Sequence, residues 1–202
     1  KSVQDYLDEL NSMIGLNSVK KQVERIVNQV KVQKLLEERK LQGQQGNGTL
    51  HLVFKGNAGT GKTTVARIIG DIYRTLGVLK RGQLVEVGRS DLVSEYVGGT
   101  SKLVKAKVQE ALGGILFVDE AYAVCPDDDD KYGKEAIDTL VAEVENHRSE
   151  FMVILAGYSD DIDKLLDKNQ GLRSRFPGEI IFEDYSMEEM FEIFGRYVSK
   201  AG

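Results

Sequence analysis

The sequence is poor in the residues that build disulfides and metal sites. Cys125 is the only cysteine among 202 residues, so no disulfide forms within the chain, which suits a reducing compartment. Pro126 and the acidic run 127–130 follow it, and their negative charge disfavours a reactive thiolate. His51 and His147 lie far apart, with no second ligand at metal-binding spacing. We expect an ordinary loop cysteine and two structural histidines.

Long apolar runs and a surplus of positive charge are also missing. No stretch of about 18 apolar residues occurs, so the sequence predicts no membrane span. Residues 1–5 lack the apolar stretch of a secretory signal, and we expect a cytoplasmic protein without a membrane partner. With 27 basic and 32 acidic side chains the formal net charge is −5, which argues against a nucleic-acid partner.

What is present is an alternation of strand and helix patterns. Each predicted strand is a continuous apolar run, and most are followed by a segment with helical spacing. This order predicts an α/β fold with a mostly parallel five-stranded sheet covered by helices on both faces. The predicted strands are 50–54, 83–87, 115–118, 152–155 and 180–182.

Helices are predicted on both sides of this core. A short helix and a turn occupy residues 1–15, a long helix runs from Asn17 to Gly43, and Gly43–Gly48 reads as a flexible linker. A capping box at Ser186 opens a terminal helix. We divide the chain into N-terminal helices and linker (1–48), an α/β core (49–184) and the first helix of a further unit (185–202).

A glycine-rich loop joins the first predicted strand to the next helix. Gly56, Gly61, Lys62 and Thr63 fit the phosphate-binding pattern G-x-x-x-x-G-K-[ST], known as Walker A. Glycines let backbone N–H groups turn towards phosphate oxygens, and the positive end of the following helix faces the same phosphates. Lys62 would reach the β- and γ-phosphates, and the Thr63 hydroxyl would ligate Mg²⁺. The pattern predicts ATP or ADP bound with Mg²⁺, surrounded by Asn57, Ala58, Gly59, Thr60, Gly61, Lys62, Thr63 and Thr64.

Two acidic residues follow the apolar run 115–118. In a parallel sheet, Asp119 and Glu120 would lie at the strand ends where ligands bind. Asp119 would hold the Mg²⁺ shell, and Glu120 would polarise the attacking water. Together with the glycine loop these acids predict ATP hydrolysis. A switch GTPase is disfavoured because the guanine signature Asn-Lys-x-Asp is missing.

Two further segments carry unusual residues. Arg173 and Arg175 flank a serine just before a strand, and we weigh surface ion pairs against an arginine finger supplied to a neighbouring subunit. Tyr96 stands beside Gly98 and Gly99 in a connection. It either folds onto the core or faces the central hole of a ring, where it would grip a threaded peptide.

The order of these motifs resembles the AAA+ ATPases. Sequence segments such as Gly113–Tyr122 and Leu155–Tyr158 are similar to those of the CbxX/CfqX family, and the similarity covers nearly the whole chain. The resemblance implies a three-layer core with strand order 5-1-4-3-2, only the start of a helical lid, and a domain cut from a longer protein. It also implies a hexameric ring that remodels or threads a protein partner.

The resemblance also assigns roles to individual residues. Ile14 and Gly15 would contact the adenine, Tyr96 would be the pore residue, and Arg175 would be the finger, with Arg173 the alternative. Tyr158, or else Ser159, falls where many AAA+ proteins sense the γ-phosphate.

Departures from the family pattern keep other functions open. Ala58 replaces a usual proline, and Gly99 replaces a histidine often found in the pore loop. An ATP-dependent assembly scaffold that does not thread a substrate is therefore the alternative to a remodelling ATPase. A DNA-acting protein of the same family is disfavoured by the acidic balance.

Overall fold

The protein, described here by a computed structural model for residues 1–39 and 50–202, is built around one parallel sheet. Its spatial order is β2-β3-β4-β1-β5, and all four neighbouring pairs are parallel. The predicted five-stranded sheet and its order are confirmed. The first strand begins two residues later than predicted, because residue 51 turns its side chain into the core and only residues from 52 onward join the ladder. The strands are β1 (Leu52–Gly56), β2 (Leu84–Val87), β3 (Ile115–Val118), β4 (Met152–Gly157) and β5 (Gly178–Phe182).

Helices cover both faces of this sheet. The predicted helices after residue 17, after the glycine loop, before β3 and before β4 are confirmed, and the capping box of Ser186 and Glu189 opens the last one. The helices are α1 (Val3–Asn11), α2 (Asn17–Glu38), α3 (Lys62–Thr75), α4 (Arg89–Leu92), α5 (Thr100–Ala111), α6 (Lys131–Asn146), α7 (Ser159–Lys168), α8 (Gln170–Arg175) and α9 (Met187–Ala201), with a 3₁₀ turn at Ala121–Val124.

Three expectations about helices need correction or fall outside the description. The sequence predicted no helix around Arg173 and Arg175, yet residues 170–175 form α8, which is anchored by the fully buried Leu172. The preceding helix α7 was missed, although its buried residues Ile162, Leu165 and Leu166 have helical spacing. Helix α2 ends at Glu38, before the predicted stop, and the predicted linker Gly43–Gly48 lies outside the described residues.

Successive side chains of each strand point to opposite faces of the sheet, which divides the core into two layers. Phe54 and Phe117 turn to the face covered by α1, α2 and α3, where their rings pack edge to face. Val53, Leu116 and Leu155 turn to the opposite face, covered by α5, α6 and α7. Burial on both faces explains why the central strands β3 and β4 are uninterrupted apolar runs, whereas the edge strands β2 and β5 carry the exposed acids Glu86 and Glu179. Within the described ranges, none of the helices combines the length and apolarity that crossing a membrane requires.

His51 makes the stability of this core depend on pH. Its imidazole is buried, its Nδ1 accepts a hydrogen bond of 2.9 Å from the backbone N–H of Val153, and its ring packs near Phe176. Burial lowers the pKa of His51 to about 4. Below pH 6.5 the imidazole of the unfolded chain binds a proton, whereas that of the folded chain stays neutral. The free energy of unfolding therefore falls by about 2 kcal/mol between pH 7.5 and 5.

Urea unfolding at the two pH values measures this effect. We expect His51→Leu to be less stable than the parent at pH 7.5, because the Val153 N–H loses its acceptor, yet to lose little further stability at pH 5. Val108→Ala shortens a buried side chain of the core without removing a titrating group, so it serves as the control and keeps the parental pH slope. An unchanged slope in His51→Leu would contradict the assignment.

Candidate active site

The glycine loop has the backbone of a phosphate cradle. It leaves the sheet at Gly56, the last residue of β1, and enters α3 at Lys62. Gly59 and Gly61 adopt positive φ angles of 76° and 89°, which favour glycine. Gly61 is the N-cap of α3, so the free N–H groups of the first helical turn and the positive end of the helix dipole face the loop.

Hydrogen bonds hold the loop and its lysine. The Thr60 hydroxyl donates to the carbonyl oxygen of Asn57 at 2.6 Å, and the Asn57 amide donates to Asp184 at 2.6 Å. The Lys62 ammonium donates to the Gly56 carbonyl oxygen at 2.6 Å. Burial lowers the pKa of Lys62, and the negative charges of two nearby acids oppose that shift. The Lys62 ammonium thus lies within the glycine loop, where it could pair with a bound anion.

One cavity of about 190 Å³ collects most of the predicted site residues. It brings the glycine loop together with the ends of β3 and β4, as expected from the sheet order. Phe117 and Gly157 also line it. Phe117 carried no sequence signal, because it reads as a core residue, whereas Gly157 is marked by its place at a strand end. The predicted residues in the lining are Ala58, Gly59, Gly61, Lys62, Thr63, Thr64, Asp119, Glu120 and Tyr158.

Glu120 has an unusual backbone conformation. Its φ and ψ angles are 48° and 50°, in the left-handed region that costs a non-glycine residue about 1–2 kcal/mol. Asp119 supports it, since its Oδ1 accepts the Glu120 N–H at 3.0 Å, and the Asp119 N–H donates to the Val87 carbonyl oxygen at 2.9 Å. Strain of this kind clusters at functional sites, and Glu120 lines the cavity.

The residues in the cavity fit a magnesium ion that arrives with a nucleotide. The Thr63 hydroxyl and the Asp119 carboxylate line the same cavity. Mg²⁺ is usually held by one or two carboxylates together with substrate phosphates. In residues 1–39 and 50–202 we find no group of three or more His, Cys, Asp and Glu side chains that could hold a metal alone. This donor set therefore suits an ion shared with phosphates.

Asn57 and Thr60 of the glycine loop are outside the lining of the cavity, and so is the turn with Ile14 and Gly15. Gly15 has a positive φ of 66°, and a Cβ on it would clash with the Glu189 carboxylate, which therefore lies against Gly15. Ile14 is half-buried at the same turn. The turn approaches the glycine loop through Met13, whose Cε would be 3.4 Å from a Cβ on Gly61.

Both arginines of α8 form ion pairs within the chain. Arg175 Nε lies 2.8 Å from Glu145 Oε1, although at an angle that is not that of a hydrogen bond, and its Nη1 donates to the Gly171 carbonyl oxygen. Arg173 pairs with Asp167. The surface ion pairs weighed above are thus present, and among the described residues of the cavity lining neither arginine occurs.

Tyr96 projects into solvent. Its side chain is 78 % exposed and that of Val97 is 89 % exposed, so folding of Tyr96 onto the core is excluded in this structure. The loop is nevertheless ordered: the Tyr96 N–H donates to the Ser94 hydroxyl, and the Ser94 N–H donates to the buried Thr100 hydroxyl, both at 3.0 Å.

Cys125 is not suited to catalysis. Its thiol is buried at the end of the 3₁₀ turn, and its pKa is raised by that burial and by the nearby carboxylate of Asp130. The raised pKa agrees with the expectation of an ordinary loop cysteine.

Several characterised proteins resemble this chain closely. It is 43 % identical over 192 residues to stage V sporulation protein K of Bacillus subtilis, a match that covers 95 % of this chain and 59 % of the relative. It is 45 % identical over 188 residues to the ESX-1 secretion system protein EccA1 of Mycobacterium tuberculosis, covering 92 % and 32 %. ESX-3 secretion system protein EccA3 of that species is 46 % identical over 186 residues, covering 92 % and 29 %. The chain thus spans from under a third to about three fifths of these relatives.

A solved structure and a family match agree with this. The fold is similar to that of the FIGL-1 AAA domain, crystallised in complex with ADP, with a TM-score of 0.64 at 17 % identity over 94 % of this chain and 60 % of that one. At that identity the likeness concerns the fold alone. Residues 52–184 match the family described as "ATPase family associated with various cellular activities (AAA)". With relatives above 40 % identity over nine tenths of its length, this chain belongs to the AAA family of ATPases.

Proposed function

We propose that this chain binds ATP with Mg²⁺ in the cavity between the glycine loop and the ends of β3 and β4, and hydrolyses it. One observation carries the proposal: Lys62, Thr63, Asp119 and Glu120 come from distant parts of the sequence and line one small cavity. They supply a cation, a hydroxyl and two carboxylates, which is the set of groups that phosphoryl transfer to water requires.

Each of these side chains has a separate task. The Lys62 ammonium leaves the Gly56 carbonyl oxygen to contact the β- and γ-phosphates, and the helix N-terminus adds its positive potential there. Thr63 and Asp119 would hold Mg²⁺, whose charge offsets that of the phosphates when it is bound. Glu120 accepts a hydrogen bond from the attacking water and orients it.

The remaining contacts to the nucleotide come from the cavity wall and the neighbouring turn. Tyr158 lines the cavity at the first residue after β4, and its phenol would sense the γ-phosphate, with Ser159 the alternative. Ile14 and Gly15 would contact the adenine. Their turn contacts both the glycine loop, through Met13, and Glu189 of α9, so a base held there would touch three parts of the chain.

We further propose that the complete site forms between subunits of a hexameric ring. Arg175 lies outside the cavity of its own chain, held by Glu145 and Gly171, so a role at the γ-phosphate requires a neighbour's nucleotide. Arg173 is the alternative, since its side chain is about half exposed and its partner Asp167 is a surface residue.

Mixed rings test this arrangement. Arg175→Ala and Glu120→Gln subunits should each be inactive alone, because every interface lacks one group. In a one-to-one mixture about a quarter of the interfaces combine an intact Glu120 with an intact Arg175, and about a quarter of the parental ATPase rate should return. The readout is phosphate release.

The matched control is Arg148→Ala, which removes a more exposed partner of Glu145 and should leave the ATPase rate unchanged. No recovery at any mixing ratio, with ring formation shown by sedimentation, would exclude a finger acting in trans.

The work done by hydrolysis is proposed to be remodelling or threading of a protein. The exposed, ordered loop carrying Tyr96 supports this, since an aromatic ring held in solvent by its own backbone contacts is placed to grip another chain. The related proteins are named for sporulation and for secretion, which are different settings. The partner that we propose is a protein, because the acidic balance disfavours nucleic acid.

A further inference from the structure

One arginine outside the cavity connects two parts of the molecule that the proposed function assigns to different tasks. Arg89 is the first residue of α4, the short helix between β2 and the loop that carries Tyr96. Its side chain crosses to the segment that follows Glu120. It belongs to neither the nucleotide cavity nor the Tyr96 loop itself.

The contacts of Arg89 converge on one guanidinium nitrogen. Nη1 donates to the carbonyl oxygens of Ala123 at 3.0 Å and Val124 at 2.9 Å, and to Asp130 Oδ2 at 2.5 Å. The two carbonyl groups end the 3₁₀ turn, where helical geometry leaves oxygens without partners. Asp130 in turn accepts the Gly133 N–H at 2.8 Å as the N-cap of α6.

The 3₁₀ turn held by Arg89 begins directly after Glu120. The Glu120 carbonyl oxygen accepts the Ala123 N–H at 2.9 Å, which closes the turn, and Glu120 itself is the residue with the left-handed backbone. Ala121 and Val124 are buried, so the turn cannot slide freely over the surface. Fixing its far end with a charged hydrogen-bond donor therefore fixes the backbone of Glu120.

The backbone of Arg89 is connected to the loop that carries Tyr96. The helix α4 starts with the Gly88 N–H donating to Asp91 at 2.9 Å and ends on the buried Leu92. The Val93 N–H donates to the Arg89 carbonyl oxygen at 2.8 Å. The guanidinium and the backbone of Arg89 thus join the Glu120 turn to the root of the loop.

We propose that Arg89 is a positioning residue that couples the backbone of Glu120 to the loop carrying Tyr96. When a bound nucleotide shifts the Asp119–Glu120 segment, the hydrogen bonds from Arg89 to the 3₁₀ turn and to Asp130 move α4 with it. The loop carrying Tyr96 then becomes more ordered. The inference rests on the proposed ATPase function, but it concerns a contact outside the cavity. Arg89→Met should therefore impair coupling and turnover and leave nucleotide binding intact.

Hydrogen exchange read by mass spectrometry, combined with steady-state kinetics, tests the coupling. In the parent protein a non-hydrolysable ATP analogue with Mg²⁺ should slow exchange in the glycine loop, in residues 119–125 and in residues 93–100. In Arg89→Met the glycine loop should still be protected and the Kd of the analogue should stay within about twofold, because the cavity is unchanged. The response of residues 93–100 should disappear, and kcat should fall by about tenfold or more.

Two further variants keep the test informative if Arg89→Met folds poorly. Arg89→Lys preserves the positive charge and N–H donors but loses the planar guanidinium, and it should show an intermediate response. Arg67→Met removes an exposed arginine that pairs with Glu86, and it should behave as the parent.

Each outcome separates the coupling from the proposed function. A parental response of residues 93–100 in Arg89→Met, with parental kcat, would overturn the coupling. So would a parent protein whose glycine loop is protected while residues 93–100 do not respond. A parent protein whose glycine loop is not protected at all would instead contradict the nucleotide site.

Discussion

Replacing Lys62 with alanine is expected to lower ATP hydrolysis at least a hundredfold, on the order of 3 kcal/mol or more of transition-state stabilisation. The Lys62 ammonium is half-buried in the glycine loop. Burial lowers its pKa, whereas the negative charges of Asp119 and Glu120 oppose that shift and favour the charged form that attracts phosphates. The fold should survive, because the sole hydrogen bond lost is that to the Gly56 carbonyl oxygen in the described structure. Phosphate release measures turnover, and binding of a fluorescent ATP analogue measures affinity.

Lys107→Ala is the matched control for this substitution. That lysine lies on α5 and forms an ion pair with Glu110, three residues further along the same helix. Its loss should change neither turnover nor affinity, since helix-surface pairs contribute little. If Lys62→Ala hydrolyses ATP at a rate close to that of the parent, the glycine loop is not the phosphate site and the assignment is wrong.

Replacing Glu120 with glutamine is expected to stop hydrolysis and to leave ATP bound. The amide keeps the shape of the side chain and the backbone contact to Asp119, but it is a far weaker base. Loss of a positioned general base typically costs a factor of 10² to 10⁴, so we expect a fall in kcat of about that size with little change in affinity. The measurement is single-turnover hydrolysis together with the fraction of ATP that stays bound and intact after gel filtration.

Two further variants separate the carboxylate from its unusual backbone. Glu120→Asn accommodates the left-handed conformation better than most residues and still lacks the carboxylate, so it should be as inactive as glutamine. Glu86→Gln, at an exposed acid on β2, should be fully active. An active Glu120→Gln enzyme, or one that no longer binds ATP, would assign a different role to this residue.

The sequence predicted the centre of the sheet well because the strands β3 and β4 are buried on both faces. A strand such as β3 is an uninterrupted apolar run in which all four residues are buried, so its pattern is independent of neighbours. The short helices α4 and α8 could not be predicted in this way. Each has only one buried residue, Leu92 and Leu172, and tertiary packing rather than periodicity decides their conformation.

The candidate site shows the same division. The glycine loop and the pair Asp119 and Glu120 are each a run of neighbouring residues with a strong local pattern. Because ligands bind at the carboxyl ends of parallel strands, these patterns predicted one shared cavity. The contacts of Arg175 with Glu145, and of Arg89 with the 3₁₀ turn, join residues that are at least 30 positions apart. Such contacts depend on how helices pack on the sheet, and no local pattern encodes them.

A crystal structure of the chain with a non-hydrolysable ATP analogue and Mg²⁺ tests most directly where the nucleotide binds. The account predicts phosphate density against the backbone N–H groups of residues 59–63, Lys62 turned from the Gly56 carbonyl oxygen to the phosphates, and the ion between Thr63 and Asp119. Nucleotide bound elsewhere, or an empty cavity at saturating concentration with Lys62 still on Gly56, would contradict it.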